Sequence, residues 1–495
     1  MPSEAAGLVS LVGAGPGDPG LLTVRGREVL ERADLVLYDG LVNPELLTLA
    51  RGRCERTARV VQDGSRRIDQ AEVNRRLIEA GRQGLRVCRL KGGDPYIFGR
   101  GSEEAAALQA AGVPFEVVPG VTAATASGAY AGFSLTHRDI ASAVALVTGH
   151  ERPGKPASML DWPALAAFPG TLVFYMGLPR LPAIAERLVA AGKPPTTPAA
   201  VVSHASLPTQ RVLAGTLATL AQQAANETLQ APTLIVVGEC VQLREQLAWY
   251  ERLPLFGLSI GVCRAEHQAG DAVRTIAGRG GRGVVVPMLA IAPPDDWDDF
   301  DGTLRNRLDG FDAVALTSSN AVAALAARLE VLALDARVFA GCRLACVGPA
   351  TADALRALGL QADLIAAVPG GAALAEELVS AGARAVWFPK AEAASPDLPA
   401  HLRAAGVTVH ETIAYRSHPV TELPDEVLAD LDWVALTSSQ IAETFAAALA
   451  DRRSPRLAAI SENVAAAAKR AGLQVDAVAE TAGWPSLLDA IAAAR

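Results

Sequence analysis

Cysteine is scarce. The 495 residues hold six cysteines, of which only Cys342 and Cys346 lie close together, and no CxxC occurs. That excludes a disulfide framework or a zinc knuckle, so all six read as buried thiols and no metal is expected. Long apolar runs are missing too: although half the residues are apolar, no segment nears the ~20 that span a bilayer. The opening MPSEAAGLVSLVGAGPGDPG has no basic leader and breaks into glycines after a short apolar run, so a soluble, cytoplasmic chain without a membrane partner is expected. Positive charge is in short supply. With 45 Lys and Arg against 53 Asp and Glu, the formal net charge is −8. This argues against general nucleic-acid binding but leaves room for local basic pockets.

What is present is an alternation. At roughly 150 residues per domain the length suggests three or four compact lobes. Short apolar runs (LVSLVG, ADLVLYD, GLRVCRL, AVALVTG, TLVFYMG, TLIVVGE) alternate with alanine-rich helical patterns through residue 245, the mark of α/β units with mostly parallel strands. The alternation resumes after residue 258. Between lies LAWYERLPLFGLS, residues 247 to 259, where the helical pattern stops and a proline enters. A junction near Leu253 is expected, with one domain over 1–250 and another over 255–495.

Beyond the junction the chain repeats itself. DAVALTSSN at 312 parallels DWVALTSSQ at 432, IGVCRAE at 260 parallels AVWFPKAE at 385, and CVGPATADALRALGLQAD at 346 parallels AISENVAAAAKRAGLQVD at 459. Two copies are too few for a solenoid, so a pair of similar α/β lobes is expected. In each copy a Thr-Ser-Ser cluster stands where a buried strand ends and a helix begins. Ser318, Ser319, Ser438 and Ser439 thus read either as helix caps or as hydroxyl donors beside helix N-termini. Thr351, in VGPAT at the start of another helical pattern, adds a third such element, and several helix N-termini facing one cleft would suit a ligand with many carboxylates.

The order LPLFG, CRAE, PPDDW, TSSN, VGPAT, PKAE and AYRS over residues 255 to 495 resembles uroporphyrinogen-III synthase. The resemblance implies two α/β lobes, about 255–290 plus 415–495 and about 291–414, joined by two strands. It implies hydroxymethylbilane, a linear tetrapyrrole with eight carboxylates, as the substrate that is cyclised with inversion of its last ring. Tyr415 of AYRS falls on the family tyrosine near the leaving hydroxyl, to which it could donate a proton; as a residue it reads equally as an aromatic on a strand. The second copy departs from the pattern, with Val464 where the first has Thr351 and with Glu462 beside it.

The first half carries two glycine loops. VGAGPGDPGLLT at 12–23 follows a strand pattern and precedes a helix, and Asp39 ends the next strand, as in a dinucleotide fold. The third glycine of that fingerprint is absent: Asp18 takes its place between prolines, so NAD is not expected. RLKGGDPYIFGRGSEE at 89–104 lets backbone approach a ligand closely but lacks the Lys-Ser/Thr of a phosphate loop. Residues 51–100 also hold 13 Lys or Arg against 6 Asp or Glu. A solvated helix face accounts for Arg75, Arg76 and Arg82 better than for Arg100.

With PGVTAATASGAYAGFSLTHRD at 119–139, VTGH at 147–150, YMGL at 175–178 and TQRVLAGTL at 209–217, residues 8 to 245 resemble the tetrapyrrole methylases, and within them uroporphyrinogen-III C-methyltransferase. The resemblance implies two lobes, about 1–136 and 137–250, and S-adenosyl-L-methionine as cofactor. Its contacts fall on Pro16, Gly92, Gly93, Asp94, Ile97, Thr122, Ala123 and Met176. Asp94 reads alternatively as the cap of the turn before Pro95, and Met176 as a core residue. Asp39 falls on the family's base, and Arg100, matched to a substrate-side group, is counted with it as catalytic. Glu103 and Arg138 are matched to substrate-side groups, where guanidinium forks suit acetates and propionates. The chain departs from the pattern at Gly40, where many members have arginine, and over Arg59 to Gln62, where Val61 replaces a lysine.

The product of the second family is the substrate of the first. The expected function is therefore a bifunctional enzyme that makes uroporphyrinogen III and methylates it at two ring carbons to precorrin-2, towards sirohaem or cobalamin, as a homodimer through the methylase half. Two alternatives stand beside it. One is a later corrin-ring methylase fused to the synthase; the other, motivated by Val61, Gly40 and Val464, is a tetrapyrrole carrier whose catalysis has decayed.

Overall fold

The computed structural model of the chain describes residues 7–57, 70–149, 159–263, 266–306, 308–368, 370–420, 422–449, 452 and 454–495. Arg59 to Gln62 with the Val61 departure, His150 of VTGH, and Arg264 and Ala265 of CRAE lie outside the described residues. Two compact units form, Met1–Ser259 with Thr275–Arg282, and Ile260–Arg274 with Gly283–Arg495.

The first unit contains two sheets. One runs Arg53–Arg56, Leu35–Tyr38, Val87–Lys91, Val9–Gly13, Phe115–Val118, with every neighbouring pair parallel. Alternate residues feed two cores: Val9, Leu11, Leu35, Leu37 and Val87 pack with Val73 and Leu77 on one face. Val12, Val36, Cys88 and Leu90 pack with Leu30 and Leu46 on the other. Both faces are covered, which is why these strands read as unbroken apolar runs.

The second sheet runs Val144–Thr148, Thr171–Tyr175, Thr233–Val237, Pro198–Ser203, Arg211–Thr216. Here the expectation of mostly parallel strands is corrected: only the first pair is parallel and the other three are antiparallel. The segment 204–210 between Pro198–Ser203 and Arg211–Thr216 is too short for a helical crossover, so these strands close as a hairpin. The six apolar runs named above are all strands. Arg53–Arg56 and Arg211–Thr216, both edge strands with polar or half-exposed residues, were not legible as such.

In the second unit one sheet runs Arg282–Val285, Ser259–Val262, Trp433–Leu436, Arg456–Ala459, Ala477–Val478. The other runs Leu289–Ala292, Thr408–Pro419, Ala385–Ala391, Ala313–Leu316, Arg343–Cys346, Leu364–Ile365. Leu289–Ala292 pairs antiparallel with Pro419 to Arg416, and the other described pairings are parallel. The duplication is structural in detail. Asp363 accepts from Leu344 N at 2.7 Å through Oδ2 and donates its own N–H to Leu344 O. Asp476 does the same with Leu457, at 2.8 Å. The third helix of each copy, Gly371–Ser380 and Trp484–Ala493, is entered through Gly370 at φ 156° and Gly483 at φ 159°.

All six cysteines are unpaired and five are buried, Cys54 being half-buried. Burial pushes the Cys88 and Cys263 thiols up to about 12. Among the described residues no helix is long and apolar enough to cross a membrane.

Because Asp363 and Asp476 make the same pair of bonds, Asp363→Ala and Asp476→Ala should each cost about 1 kcal/mol. Denaturant midpoints of the two variants measure this. Costs differing more than about threefold would show that the two copies do not rely equally on the bond.

Candidate active sites

In the first unit, four loops meet at the carboxyl ends of the strands, the edge at which open parallel sheets bind ligands. The loop after Val9–Gly13 pairs with the GGDP turn: Gly15 N donates to Gly93 O at 3.2 Å and Gly93 N donates to Gly15 O at 2.7 Å. Gly120 completes the crossing, since a Cβ on Gly13 would lie 2.5 Å from Gly120 Cα and one on Gly120 would lie 2.3 Å from Gly93 O. At Gly93, by contrast, φ is +69° and a Cβ would meet only Ala123 N at 3.8 Å and Thr122 Cα at 4.0 Å, so open space faces the helix Ala123–Ala131.

Asp94 holds this arrangement. Its Oδ1 accepts from Tyr96 N at 2.8 Å and its Oδ2 from Gly120 N at 3.0 Å, so the turn-capping role is built and extends to a second loop. Each oxygen keeps further acceptor capacity. Ile97 packs partly buried against the core that includes Ala124 and Tyr175. Thr122 Oγ1 lies 2.6 Å from Tyr175 OH, which also accepts from Ala124 N at 3.0 Å. Burial raises the Tyr175 phenol against these two bonds. The next residue, Met176, is 49% exposed at φ +56°, so it is no core methionine. Non-glycine residues at positive φ are uncommon and gather at functional sites; Phe98 and Arg100, at φ 52° and 60°, are two more on the adjoining turn.

Asp18, in place of the third fingerprint glycine, is occupied in holding its own loop. Its Oδ1 caps Gly20 N at 2.8 Å, its Oδ2 accepts from Tyr130 OH at 2.6 Å, and its N–H donates to Ser206 Oγ at 3.0 Å. Pro16 lies in the same loop, half-buried. Asn43 Nδ2 donates to Gly17 O at 2.8 Å, and a Cβ on Gly92 would lie 3.1 Å from Leu41 Cβ. The Asp39–Asn43 loop is thereby tied to both glycine loops.

Asp39 itself is the half-buried outer end of a charge network that the sequence did not disclose. Arg89 Nη2 donates to Asp39 Oδ1 at 2.5 Å, and Thr57 Oγ1 lies 3.1 Å from the same oxygen. Arg89 Nε and Lys91 Nζ reach Glu104 Oε1 at 3.2 and 3.0 Å, joined by Gln70 Nε2 at 3.0 Å. Arg89, Lys91 and Glu104 are 3%, 2% and 0% exposed. Burial pulls the Lys91 ammonium down, with Arg89 adding to the effect. Burial pulls the Arg89 guanidinium down as well, but Asp39 and Glu104 outweigh it and hold it above its ordinary value. The available signal was periodicity: Val87, Arg89 and Lys91 share one face of a strand that the alternation marks as buried.

Other expected residues are exposed on turns or already paired. Arg100 forks onto the neighbouring Glu103 with bonds of 2.9 and 2.7 Å, both side chains being about half exposed. Arg138 is exposed on the turn beside the bridge between His137 and Ala141. Gly40, also exposed, follows Asp39.

In the second unit Ser318 caps the helix Ser319–Val331 by accepting from Ala321 N at 3.1 Å, and its Oγ also lies 3.0 Å from Tyr415 OH. Ser438 caps its own copy by accepting from Ile441 N at 3.2 Å. Ser319 and Ser439 are the first residues of the two helices. Thr351 lies in the first turn of Pro349–Ala357 at 4% exposure, and Gly348 occupies the cap position. At the matching element Ser461 caps Glu462–Arg470, and Val464 is buried as Thr351 is, so the second copy keeps a hydroxyl one turn earlier. A cavity of about 310 Å³ in this unit is lined by Asp295, Asp296, Asp299, Glu392 and Glu411. Its charge is wrong for a polycarboxylate, and we do not read it as the substrate site.

Comparison with known proteins follows the same division. Residues 8–221 match the Tetrapyrrole (Corrin/Porphyrin) Methylases and residues 271–489 match Uroporphyrinogen-III synthase HemD. The chain is 35% identical over 493 residues to the porphyrin biosynthesis protein HemD of Ruminiclostridium josui, covering 98% of this chain and 97% of that one. It is 52% identical over 248 residues to the siroheme synthase of Stutzerimonas stutzeri strain A1501, covering 50% of this chain and 53% of that one, so it spans about half the length of that relative. Among solved structures, uroporphyrin-III C-methyl transferase of Thermus thermophilus complexed with S-adenyl homocysteine is similar at 40% identity and a TM-score of 0.42, covering 48% of this chain and all of that one.

The close crossing at Gly120 generates a prediction. Gly120→Ala would set a Cβ 2.3 Å from Gly93 O, so the GGDP turn must move. Thermal melting of the first unit should drop by several degrees; an unchanged midpoint would mean that the crossing is looser than described.

Proposed function

From a chain that belongs to the porphyrin-biosynthesis proteins in which a tetrapyrrole methylase precedes a uroporphyrinogen-III synthase, we propose a single enzyme for two consecutive steps. The second unit cyclises hydroxymethylbilane to uroporphyrinogen III, and the first transfers two methyl groups to it, at C2 and C7, to give precorrin-2. The observation that carries the methylase reading is the open space at Gly93 beside the Asp39 loop, with Gly92 packed on Leu41. This space has backbone and apolar walls and no phosphate-loop lysine, which suits a cationic, phosphate-free cofactor. S-adenosyl-L-methionine supplies an electrophilic methyl group there. Pro16, Gly92, Gly93, Asp94, Ile97, Thr122, Ala123 and Met176 form its surroundings.

Asp39 acts as the base that removes a proton from the methylated macrocycle. Arg100 and Arg138 meet the carboxylates of the substrate, and Glu103 stands on the substrate side beside Arg100. The Arg100–Glu103 pair is exposed, and exposed pairs contribute about 0–1 kcal/mol, so a substrate carboxylate can take Glu103's place at the guanidinium with little loss. In the second unit Tyr415 donates a proton to the departing hydroxyl, and Ser318, Ser319, Thr351, Ser438 and Ser439 stand at the helix starts that receive carboxylates. Much of the ring chemistry is intrinsic to electron-rich pyrroles, so binding geometry and exclusion of water are the protein's main contribution. The domains divide near Leu253, the chain acts in the cytoplasm, and it pairs as a homodimer through the methylase half.

The direct experiment supplies hydroxymethylbilane with and without S-adenosyl-L-methionine and identifies the products by mass. Uroporphyrinogen III alone without the cofactor, and a product two methyl groups heavier with it, are expected. Unmethylated product in both would support a later corrin-ring substrate, and no turnover in either would support a carrier.

The serine caps allow a sharper prediction. Ser318→Ala and Ser438→Ala should each lower stability by about 1 kcal/mol, the value of a helix cap. Ser318→Ala should also slow synthase turnover, because it alone removes the partner of Tyr415 OH. Equal melting shifts with full turnover in both variants would reduce the repeated serines to caps.

A further inference from the structure

Arg89, Lys91 and Glu104 lie behind Asp39, on the core side, and take no part in the chemistry assigned above. Their arrangement is directional. Arg89 presents Nε to Glu104 Oε1 and Nη2 to Asp39 Oδ1, while Nη1 reaches Leu37 O at 3.3 Å and Thr57 Oγ1 at 3.2 Å, so its plane is fixed on every side. Asp39 Oδ1 is therefore occupied by Arg89, with the single Thr57 hydroxyl proton shared between it at 3.1 Å and Tyr38 O at 3.0 Å. Asp39 Oδ2 has Lys91 Nζ at 3.9 Å, beyond hydrogen-bond reach, and among the described residues no hydrogen-bond donor reaches it. The inner anion is equally lopsided: Glu104 Oε1 takes the bonds from Gln70, Arg89 and Lys91, whereas its Oε2, fully buried, has no hydrogen-bond partner among the described residues. A carboxylate that accepts everything on one oxygen is placed to anchor two cations rather than to bind a ligand.

We propose that Arg89, seated on Glu104 and flanked by Lys91, is a positioning residue that fixes the Asp39 carboxylate with Oδ1 occupied and Oδ2 presented to the substrate. This rests on the reading of Asp39 as the base. In the step it serves, a bridging carbon of the methylated macrocycle loses a proton to Asp39 Oδ2, turning the carboxylate into a carboxylic acid. The C–H electron pair stays in the ring system and cancels the positive charge left by methyl transfer. Orientation matters because proton transfer requires an oxygen within hydrogen-bond distance of the acidic carbon, and an unanchored carboxylate on an exposed loop would rotate through unproductive positions.

The test uses the full chain, with uroporphyrinogen III as substrate and S-adenosyl-L-methionine as donor. Arg89→Lys keeps the charge and removes the fork. It should lower kcat for methyl transfer at least tenfold while KM and the calorimetric Kd for S-adenosyl-L-methionine stay within threefold. Asp39→Asn combined with Arg89→Lys should be no slower than Asp39→Asn alone, because the two residues act as one unit. Retention of kcat within twofold in Arg89→Lys, or multiplication of the two losses in the double variant, overturns the proposal. Thr57→Val, which removes only the hydroxyl beside Asp39 Oδ1, serves by the same criteria if Arg89→Lys does not fold; the synthase rate and melting point of the same chain report folding. Full methyl transfer by Asp39→Asn on its own is a separate failure, that of the base assignment.

Discussion

Parallel strands cannot be joined by tight turns, so each must be followed by a crossover that returns the chain to the same end of the sheet. In this protein that constraint decides where chemistry can be built. Val9–Gly13, Leu35–Tyr38, Val87–Lys91 and Phe115–Val118 deliver their following loops to one edge, so that GAGPGD, Asp39 to Asn43, GGDP and PGVTA all arrive there. In the second unit the same rule places the starts of Ser319–Val331 and Pro349–Ala357 side by side, and repeats it for Ser439–Leu449 and Glu462–Arg470. The antiparallel pairs of the second sheet obey no such rule, and that sheet contributes chiefly the loop around Met176.

Burying two cations and an anion under that edge is costly: removing an ion from water costs several kcal/mol even after the protein relaxes. The structure offsets the cost by shared bonds, with Glu104 Oε1 accepting from three side chains and Arg89 filling its fork. Breaking such a network by removing one member leaves an uncompensated buried charge. A charged face on a central strand is thus stable only as a set, and its partners must come from segments far apart in sequence: Gln70, Thr57, Asp39 and Glu104.

The duplicated unit shows how little of a repeat must be identical for the architecture to persist. The aspartate that ties Leu344 recurs at Leu457, and the glycine entry to the third helix recurs at Gly483. At the second helix the copies diverge: Gly348 at the cap position of one makes no side-chain cap bond, whereas the other is capped by the Ser461 hydroxyl. The first copy needs a cap less, because Pro349 at its first helical position has no N–H to satisfy. Loss of a hydroxyl between Thr351 and Val464 is therefore a change inside the core, where both side chains are buried.

What the sequence determined by itself is what depends on neighbours along the chain. The alternation of apolar runs and helical patterns, the glycine turns and the Thr-Ser-Ser helix starts each follow from local period and backbone freedom. The two family resemblances followed from the order of such motifs, and the comparisons place the chain in both families. Tertiary structure alone decided what depends on separate segments meeting. The pairing of Ser318 with Tyr415 spans 97 residues, the tie between Tyr130 and Asp18 spans 112, and the bond from Arg89 to Asp39 spans 50. The antiparallel hairpin of the second sheet was not legible, because its short edge strand of mixed polarity carries no clear period. The charges of Arg89 and Lys91 were visible as letters, but whether a charge on a buried strand is paired or solvated is settled by which residues pack over it, and those are chosen only when the sheet and the helix Gly101–Ala110 come together.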